Sequence, residues 1–434
     1  VGRKSLDWEL MSKEVKKGLV PDLRFPEFVK DGEWDVKKFS KFIKLDRGSS
    51  PRPIQDYLTQ DDSGVNWIKI GDTKNAIKSI IYQVEEKITP QGAEKSRRVE
   101  KGELILANSM SFGKTYELAI EGCIYDGWFV LRKFKEHFFK PFLLQLLNSD
   151  FMQNQYKRLS AGGIVQNISS DIVYNTQLFH TAILEQQKIA DCLTSLDDLI
   201  IAHSEKLDAL KDHKKGLMQQ LFTVNGKKVP ALRLGEFKES GKWEEDALEN
   251  VAEFLKGKGV SKADIAINGK QPCIRYGELY THYNEVIHTI KSFTDLPVED
   301  LVLSNANDVI IPSSGETRED IATASCVMLD GVALGGDLNI IRSKINGVLL
   351  AYYLSNAKKV EISKLAQGNA VVHLYSSQLK KLIINYPKDI KEQKKIADSL
   401  TSLDEVISEQ TQKIDELKIH KKGLMQGLFP SLND

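Results

Sequence analysis

Apolar residues recur in steps of three and four, uninterrupted by proline, through Glu185 to Phe222: Ile189, Leu193, Leu196, Ile200, Leu207 and Leu210 lie on one stripe. That spacing predicts a single long helix with a coiled-coil seam. The pattern returns in Glu392 to Phe429, where Ile396, Leu400, Leu403, Ile407, Ile414 and Leu417 hold the matching places at an offset of 392 − 185 = 207, and 25 of the 38 positions are identical. A 38-residue helix is a rod on the order of 57 Å long at ~1.5 Å per residue. His203 and Gln410 interrupt the seam near its middle, and Lys214 and Lys421 interrupt it further on. A parallel pair in register would bury the two lysines against each other, so the sequence predicts an antiparallel pair with His203 and Gln410 approaching at the centre.

A second element repeats as well. VPDLRFPEFVKDGEW, residues 20–34, returns as VPALRLGEFKESGKW, residues 229–243. The order leader, globular region, helix therefore occurs twice, as 1–34, 35–184, 185–222, 223–391 and 392–434. Residues 1–10 precede the first methionine, Met11, and stand outside the functional reading. The globular regions have diverged, yet WIKIGD (67–72) aligns with CIRYGE (273–278) and GELILAN (102–108) with NDVIIPS (307–313). Short apolar runs bounded by Gly, Asn and Asp read as strands, and PFLLQLLNSDFMQNQYKRL and GVLLAYYLSNAKKVEISKL read as helices. The fold class is α/β (mixed α+β), with two globular domains separated by two long helices in a pseudo-two-fold tandem repeat.

Charge narrows the function only locally. The 434 residues carry 60 Lys and Arg against 60 Asp and Glu, a formal net charge of +0. Residues 35–180 hold 21 basic and 17 acidic residues (+4), whereas 244–391 hold 16 and 19 (−3). Any nucleic-acid surface must then be a local basic face. The four cysteines are isolated, which fits a reducing cytoplasm and indicates neither a zinc site nor a disulfide framework. No run of ~18 apolar residues suggests a membrane span.

Phosphate-loop, dinucleotide, zinc-protease and serine-hydrolase motifs are all missing, as is the [DNS]-P-P-[FY] tetrapeptide of an amino-group methyltransferase. The polar loops remain. DRGSSPRP, residues 46–53, turns tightly and offers Ser49, Ser50 and Arg52 to phosphates or base edges. Its counterpart KGKGVSKADI offers Lys256, Lys258, Ser261 and Lys262. KRLSAGGIVQNI brings Arg158, Gly162, Gln166 and Asn167, and SKLAQGNAVVHL brings Lys364, Gln367 and Asn369, each also readable as a hairpin turn. Lys69, Arg97, Arg98, Lys114 and Arg275 complete the candidate DNA-binding set, although basic clusters are usually solvated faces.

Two diverged globular regions, each followed by a near-identical helix with IADxLTSLD and HKKGLMQ segments and preceded by an LRFPEF-like leader, resemble the specificity subunit of type I restriction-modification systems. The resemblance covers nearly the whole chain. It implies two target recognition domains, each reading half of a bipartite site in double-stranded DNA, and helices that space them and dock two modification subunits, with restriction subunits as further partners. It also implies no catalysis and no cofactor in this chain, because S-adenosylmethionine, ATP and magnesium belong to the partner subunits. A coiled-coil scaffold without DNA specificity is the alternative, and an enzyme with an unrecognised site is a third class.

Overall fold

In a computed structural model, residues 19–109, 113–160, 167–223, 227–368 and 371–430 are described. The terminal segment 1–10 and the candidates Gly162, Gln166 and Asn369 lie outside them. The chain divides into two units, one formed by Val1–His203 with Lys413–Asp434 and the other by Ser204–Gln412. The long helices, Ile183–Leu221 and Ile390–Leu428, each contribute one stretch to either unit.

In the first unit, alternation along the strands builds two layers of core. Lys44–Arg47, Trp128–Arg132, Leu104–Ala107, Thr115–Leu118 and Ile80–Ile81 form one sheet in that order. Its central strands are buried on both faces. Leu104, Leu106, Phe129 and Leu131 turn to one cluster with Phe142, Leu146, Ile189 and Leu193, whereas Ile105, Trp128 and Val130 turn to another with Ile68 and Ile124. Ile68 and Ile124 come from the second five-stranded sheet, where Val65–Ile68 and Gly122–Ile124 pair in parallel.

The second unit repeats this plan. Val309, Ile311 and Ile341 face a cluster with Leu350, Tyr352, Ile396 and Leu400, and their neighbours Ile310 and Ile340 face Ile274 and Leu334. Gln271–Ile274 pairs in parallel with Ala333–Leu334, as Val65–Ile68 does with Gly122–Ile124. The faint sequence correspondences therefore mark equivalent positions. The main-chain N–H of Lys69 donates to Asp72 Oδ2 at 2.7 Å, and that of Arg275 donates to Glu278 Oε2 at 2.7 Å.

Two helices expected from the sequence are each broken in the structure. Lys140–Asn148 and Asp150–Ser160 are separated at Ser149, which is extended and whose Oγ donates to Leu146 O at 2.6 Å. Gly347–Ser355 and Lys359–Leu365 part at 356–358. A Ser or Asn followed by polar residues favours ending one helix and capping another, and this local preference overrides the apolar periodicity.

Antiparallel pairing of the long helices holds within each unit. In the first, Ile189 and Leu193 share a cluster with Leu424 and Leu428, and Lys421 Nζ lies 2.7 Å from both carboxylate oxygens of Asp197. In the second, Leu217 and Leu221 share a cluster with Ile396 and Leu400, and Lys214 Nζ lies 2.8 Å from Asp404 Oδ2. The lysines that interrupt the seam are thus each neutralised by an aspartate of the other helix. Leu196, Ile200, His203, Leu207, Leu210, Leu403 and Ile407 are half-buried, and Gln410, Ile414 and Leu417 are buried.

The repeated leader ties the helix ends together. Leu23 N donates to Gly427 O at 2.9 Å, while Arg24 grips Glu185 with two bonds of 2.7 and 2.9 Å. In the second unit Leu232 N donates to Gln220 O at 2.9 Å and Arg233 grips Glu392 at 2.8 and 2.6 Å. Each leader so holds the end of one long helix and the beginning of the other, and both ion pairs are buried. Such two-pronged Arg–carboxylate bonds fix orientation as well as distance.

Candidate nucleic-acid interface

Loops from four parts of the first unit meet around Asp126. The Asn108 side chain donates to the Asp126 carbonyl at 2.9 Å, Arg47 Nε donates to the same oxygen at 3.4 Å, and Arg52 lies 3.7 Å from its carboxylate. Arg97 Nε donates to the carbonyl of Arg47 at 3.1 Å, and Ser49 Oγ donates to the carbonyl of Lys95 at 3.4 Å. Ile168 N donates to Asn108 O at 2.7 Å, which brings its exposed neighbour Asn167 to the same place. The candidates Ser49, Arg52, Arg97 and Asn167 are therefore assembled, with Arg47 and Lys95 as added exposed charge. Ser50 sits half-buried in the same turn.

Glycine makes this turn possible. A Cβ on Gly48 would stand 2.0 Å from the carbonyl oxygen of Tyr125, and one on Gly257 in the second unit 2.0 Å from that of Gly335. The neighbouring bonds match too: Gly48 N donates to Trp128 O and Ser49 N to Ile124 O, as Gly257 N does to Leu338 O and Lys258 N to Leu334 O. Two loops with unrelated side chains hang on one backbone frame.

In the second unit the meeting point is Asp337. Ser313 N donates to Asp337 O at 2.8 Å and Leu374 N to Ser313 O at 3.0 Å. Ser314 Oγ lies 3.3 Å from Asp337 Oδ1 and 3.2 Å from His373 Nδ1, and the His373 ring stacks on Tyr375. Gln367 and His373 exchange backbone bonds of 3.0 and 2.7 Å, which hold the two residues side by side, and Gln367 is exposed. Lys256, Lys258 and Lys262 are exposed on the adjoining loop, with Lys258 3.9 Å from Asp300.

Other candidates have structural employment or lie apart. Lys69 pairs with Glu86, and the Arg275 guanidinium lies 3.6 Å from Glu278. Ser261 caps the turn Lys262–Asp264, and its hydroxyl and backbone N–H hold the Asp264 carboxyl below its ordinary range. Arg98 follows Arg97 in the strand Arg97–Val99 and so faces the other side of the sheet. Lys114, Arg158 and Lys364 are exposed. Sequence reasoning missed Arg47, Ser314, Asp337, His373 and Tyr375; the alignment of GELILAN with NDVIIPS stops one residue short of Ser314 and was the nearest signal for it.

Among the described residues no group of His, Cys, Asp and Glu could hold a metal ion, and no helix is long and apolar enough to cross a membrane. The cysteines are free, and burial pushes the thiols of Cys123 and Cys273 up to about 11.

Two α/β units of one plan, each gathering a different set of polar side chains around a loop frame of common geometry, define a protein built of two diverged copies of one domain. The chain belongs to the type I restriction modification DNA specificity family, whose domain matches residues 31–212 and again 240–418. Two relatives from Methanocaldococcus jannaschii are the putative type I restriction enzyme MjaX specificity subunit, 25% identical with 92% of this chain and 93% of the relative covered, and the MjaVIII specificity subunit, 24% identical with 94% and 93% covered. Among solved structures, a chain from work on complex assembly and conformational transition of a type I R-M system matches with a TM-score of 0.59 at 17% identity, covering 91% of this chain and 97% of that one. The type I restriction-modification S subunit from M. genitalium matches with a TM-score of 0.55 at 14% identity, covering 96% and 100%. At those identities the likeness is one of fold. The chain is a DNA sequence-recognition subunit, and its part in the system is specificity rather than catalysis.

Proposed function

We propose that the loop face around Asp126 reads one half of a bipartite DNA target and the loop face around Asp337 reads the other. The long helices set the spacing between the halves, and two modification subunits dock on the repeated helix surface. Restriction subunits join the same cytoplasmic assembly. S-adenosylmethionine, ATP and magnesium act on those partners, and this chain holds none of them.

The observation that carries this reading is a loop frame common to both units with a different set of side chains gathered beside it: guanidiniums and a lysine in the first unit, lysines on the frame with a hydroxyl, an imidazole and a phenol from neighbouring segments in the second. A frame kept while its side chains change is what two readers of different sequences need, because base edges are told apart by donor and acceptor pattern. A scaffold would need no such loops.

The test is binding of the full complex to its methylation target. Arg52→Ala with Arg97→Ala should weaken binding and flatten its dependence on salt, whereas Ser314→Ala with His373→Ala should relax preference in the second half-site alone. Variants of both faces that bind and methylate as the parent does would refute the assignment.

A further inference from the structure

Gln186 and Gln393 are buried near the starts of the two long helices, at equivalent places in the repeat (393 − 186 = 207). Gln186 Oε1 accepts from Phe139 N at 2.9 Å, and its Nε2 donates to the carbonyls of His137 and Thr181 at 2.9 and 2.8 Å. Gln393 Oε1 accepts from Asn346 N at 2.8 Å, and its Nε2 donates to Pro387 O at 2.8 Å. Phe139 and Asn346 are the capping residues of the domain helices Lys140–Asn148 and Gly347–Ser355, and they too are 346 − 139 = 207 apart. All these partners are main chain. A bond to main chain is indifferent to the side chains around it, so the same glutamine serves two domains whose sequences have diverged.

A second polar bond reaches the same domain helix from further along each long helix, 197 − 186 = 11 and 404 − 393 = 11 residues on. Eleven residues are about three turns, so both points share one face. Asp197 Oδ2 accepts from Gln145 Nε2 at 3.0 Å, and Asp404 Oδ2 accepts from the Tyr352 hydroxyl. Gln145 and Tyr352 occupy one position of the repeat (352 − 145 = 207), six residues past the capping residue in each domain. The side chain has changed there and the hydrogen-bond donor has stayed. The same carboxylates hold Lys421 and Lys214 of the other long helix. Within each unit, then, the domain helix is fastened at two points to the stretches of long helix beside it.

Two such points fix a direction, which apolar packing by itself does not, because it is non-directional. Phe142 and Leu146 of the first domain helix share a core cluster with Leu106, Phe129 and Leu131 of the sheet, so the helix and the sheet tilt together. The strand Trp128–Arg132, which begins beside the loop frame of Gly48, is about 17 Å long at ~3.4 Å per residue. A tilt of about 11° over that length displaces the frame by about 3.4 Å, one base-pair step.

We propose that Gln186 with Asp197, and Gln393 with Asp404, are positioning residues for recognition. They fix the direction in which each reading face projects from the long helices, and so hold each half-site to one place along the duplex. This rests on the reading that the loop faces around Asp126 and Asp337 each read half of the target.

The experiment measures methylation, by the full complex, of duplexes carrying the parent's motif with its spacer kept, lengthened or shortened by one base pair. Gln186→Met keeps the volume and removes the bonds, and Tyr352→Phe removes only the hydroxyl that Asp404 accepts from. In each variant, discrimination against the altered spacers should fall about tenfold, with base preference inside both half-sites unchanged. Ile105→Ala, in the core layer on the far side of the sheet, shows what lost stability does alone: it should lower the melting temperature and leave spacer discrimination at the parent's value. If Gln186→Met and Tyr352→Phe keep the parent's discrimination, or if Ile105→Ala loses it equally, the bonds only stabilise and the proposal is overturned. Base preference lost within a half-site, with the spacer still held, means that the bonds shape the reading face rather than aim it, and this also overturns the proposal. A parent complex that methylates no bipartite motif fails the underlying reading itself.

Discussion

Replacing Gly48 by alanine separates the loop frame from the side chains it carries. The added Cβ would stand 2.0 Å from Tyr125 O, where ordinary contact begins at 3.4 Å, so the two backbones must part by about 3.4 − 2.0 = 1.4 Å. The bonds from Gly48 N to Trp128 O (2.9 Å) and from Ser49 N to Ile124 O (3.2 Å) cannot survive such a shift. Two lost hydrogen bonds at about 0.5–1.5 kcal/mol each, with overpacking of about 1–3 kcal/mol, give a destabilisation of about 2–4 kcal/mol after partial relaxation. Arg52 and Arg97 are then displaced relative to Asp126. Urea denaturation should show the loss of stability, and methylation of sites varied in one half should show the first half-site read poorly with the second intact. Gly257→Ala should do the reverse. A Gly48→Ala protein as stable as the parent, with the same motif and rate, would refute the claim that the close approach holds the reading loop in place.

Asp404→Asn leaves Lys214 with only the longer pairing to Glu285, at 3.4 Å, and weakens the acceptor of the Tyr352 hydroxyl, so it should cost about 1–3 kcal/mol in urea denaturation; an unchanged midpoint would argue that the pair is ornamental. Native protein at pH 8 should expose only Cys192 to a thiol reagent, because Cys123, Cys273 and Cys326 are buried and protonated below their raised pKa values, and all four should react after unfolding. A heptad inserted between His203 and Lys206 and another between Gln410 and Lys413 keeps the seam in phase. It should lengthen the spacer of the methylated motif by about three base pairs, from ~10 Å of added helix at 1.5 Å per residue. An unchanged spacer with full activity would dispose of the helices as a ruler.

The helices, the duplication and the mixed α/β class are legible in the sequence because they rest on periodicity and on repetition, which survive without knowledge of tertiary contacts. The antiparallel pairing follows from Lys214 and Lys421 alone, but their partners Asp197 and Asp404 do not, although both stand in the repeated SLD segment. Nothing local tells an aspartate that faces solvent from one that crosses to another helix. The loops were found by their turn residues, whereas their convergence was not. Arg47 meets Arg97 50 residues on, and Ser314 meets His373 59 residues on, so no window along the chain contains either contact. Lys69 and Arg275 look like phosphate ligands by charge, and the acidic residue three places later already engages each residue's backbone N–H.

The central claim is that two units read two half-sites independently, and the most direct measurement is the map of methylated bases in cells carrying the chain with residues 35–184 exchanged for the equivalent region of a relative. One half of the methylated motif should become that of the relative, with the other half and the sense of the site unchanged. A motif altered in both halves, or one that does not follow the exchanged region, would contradict it.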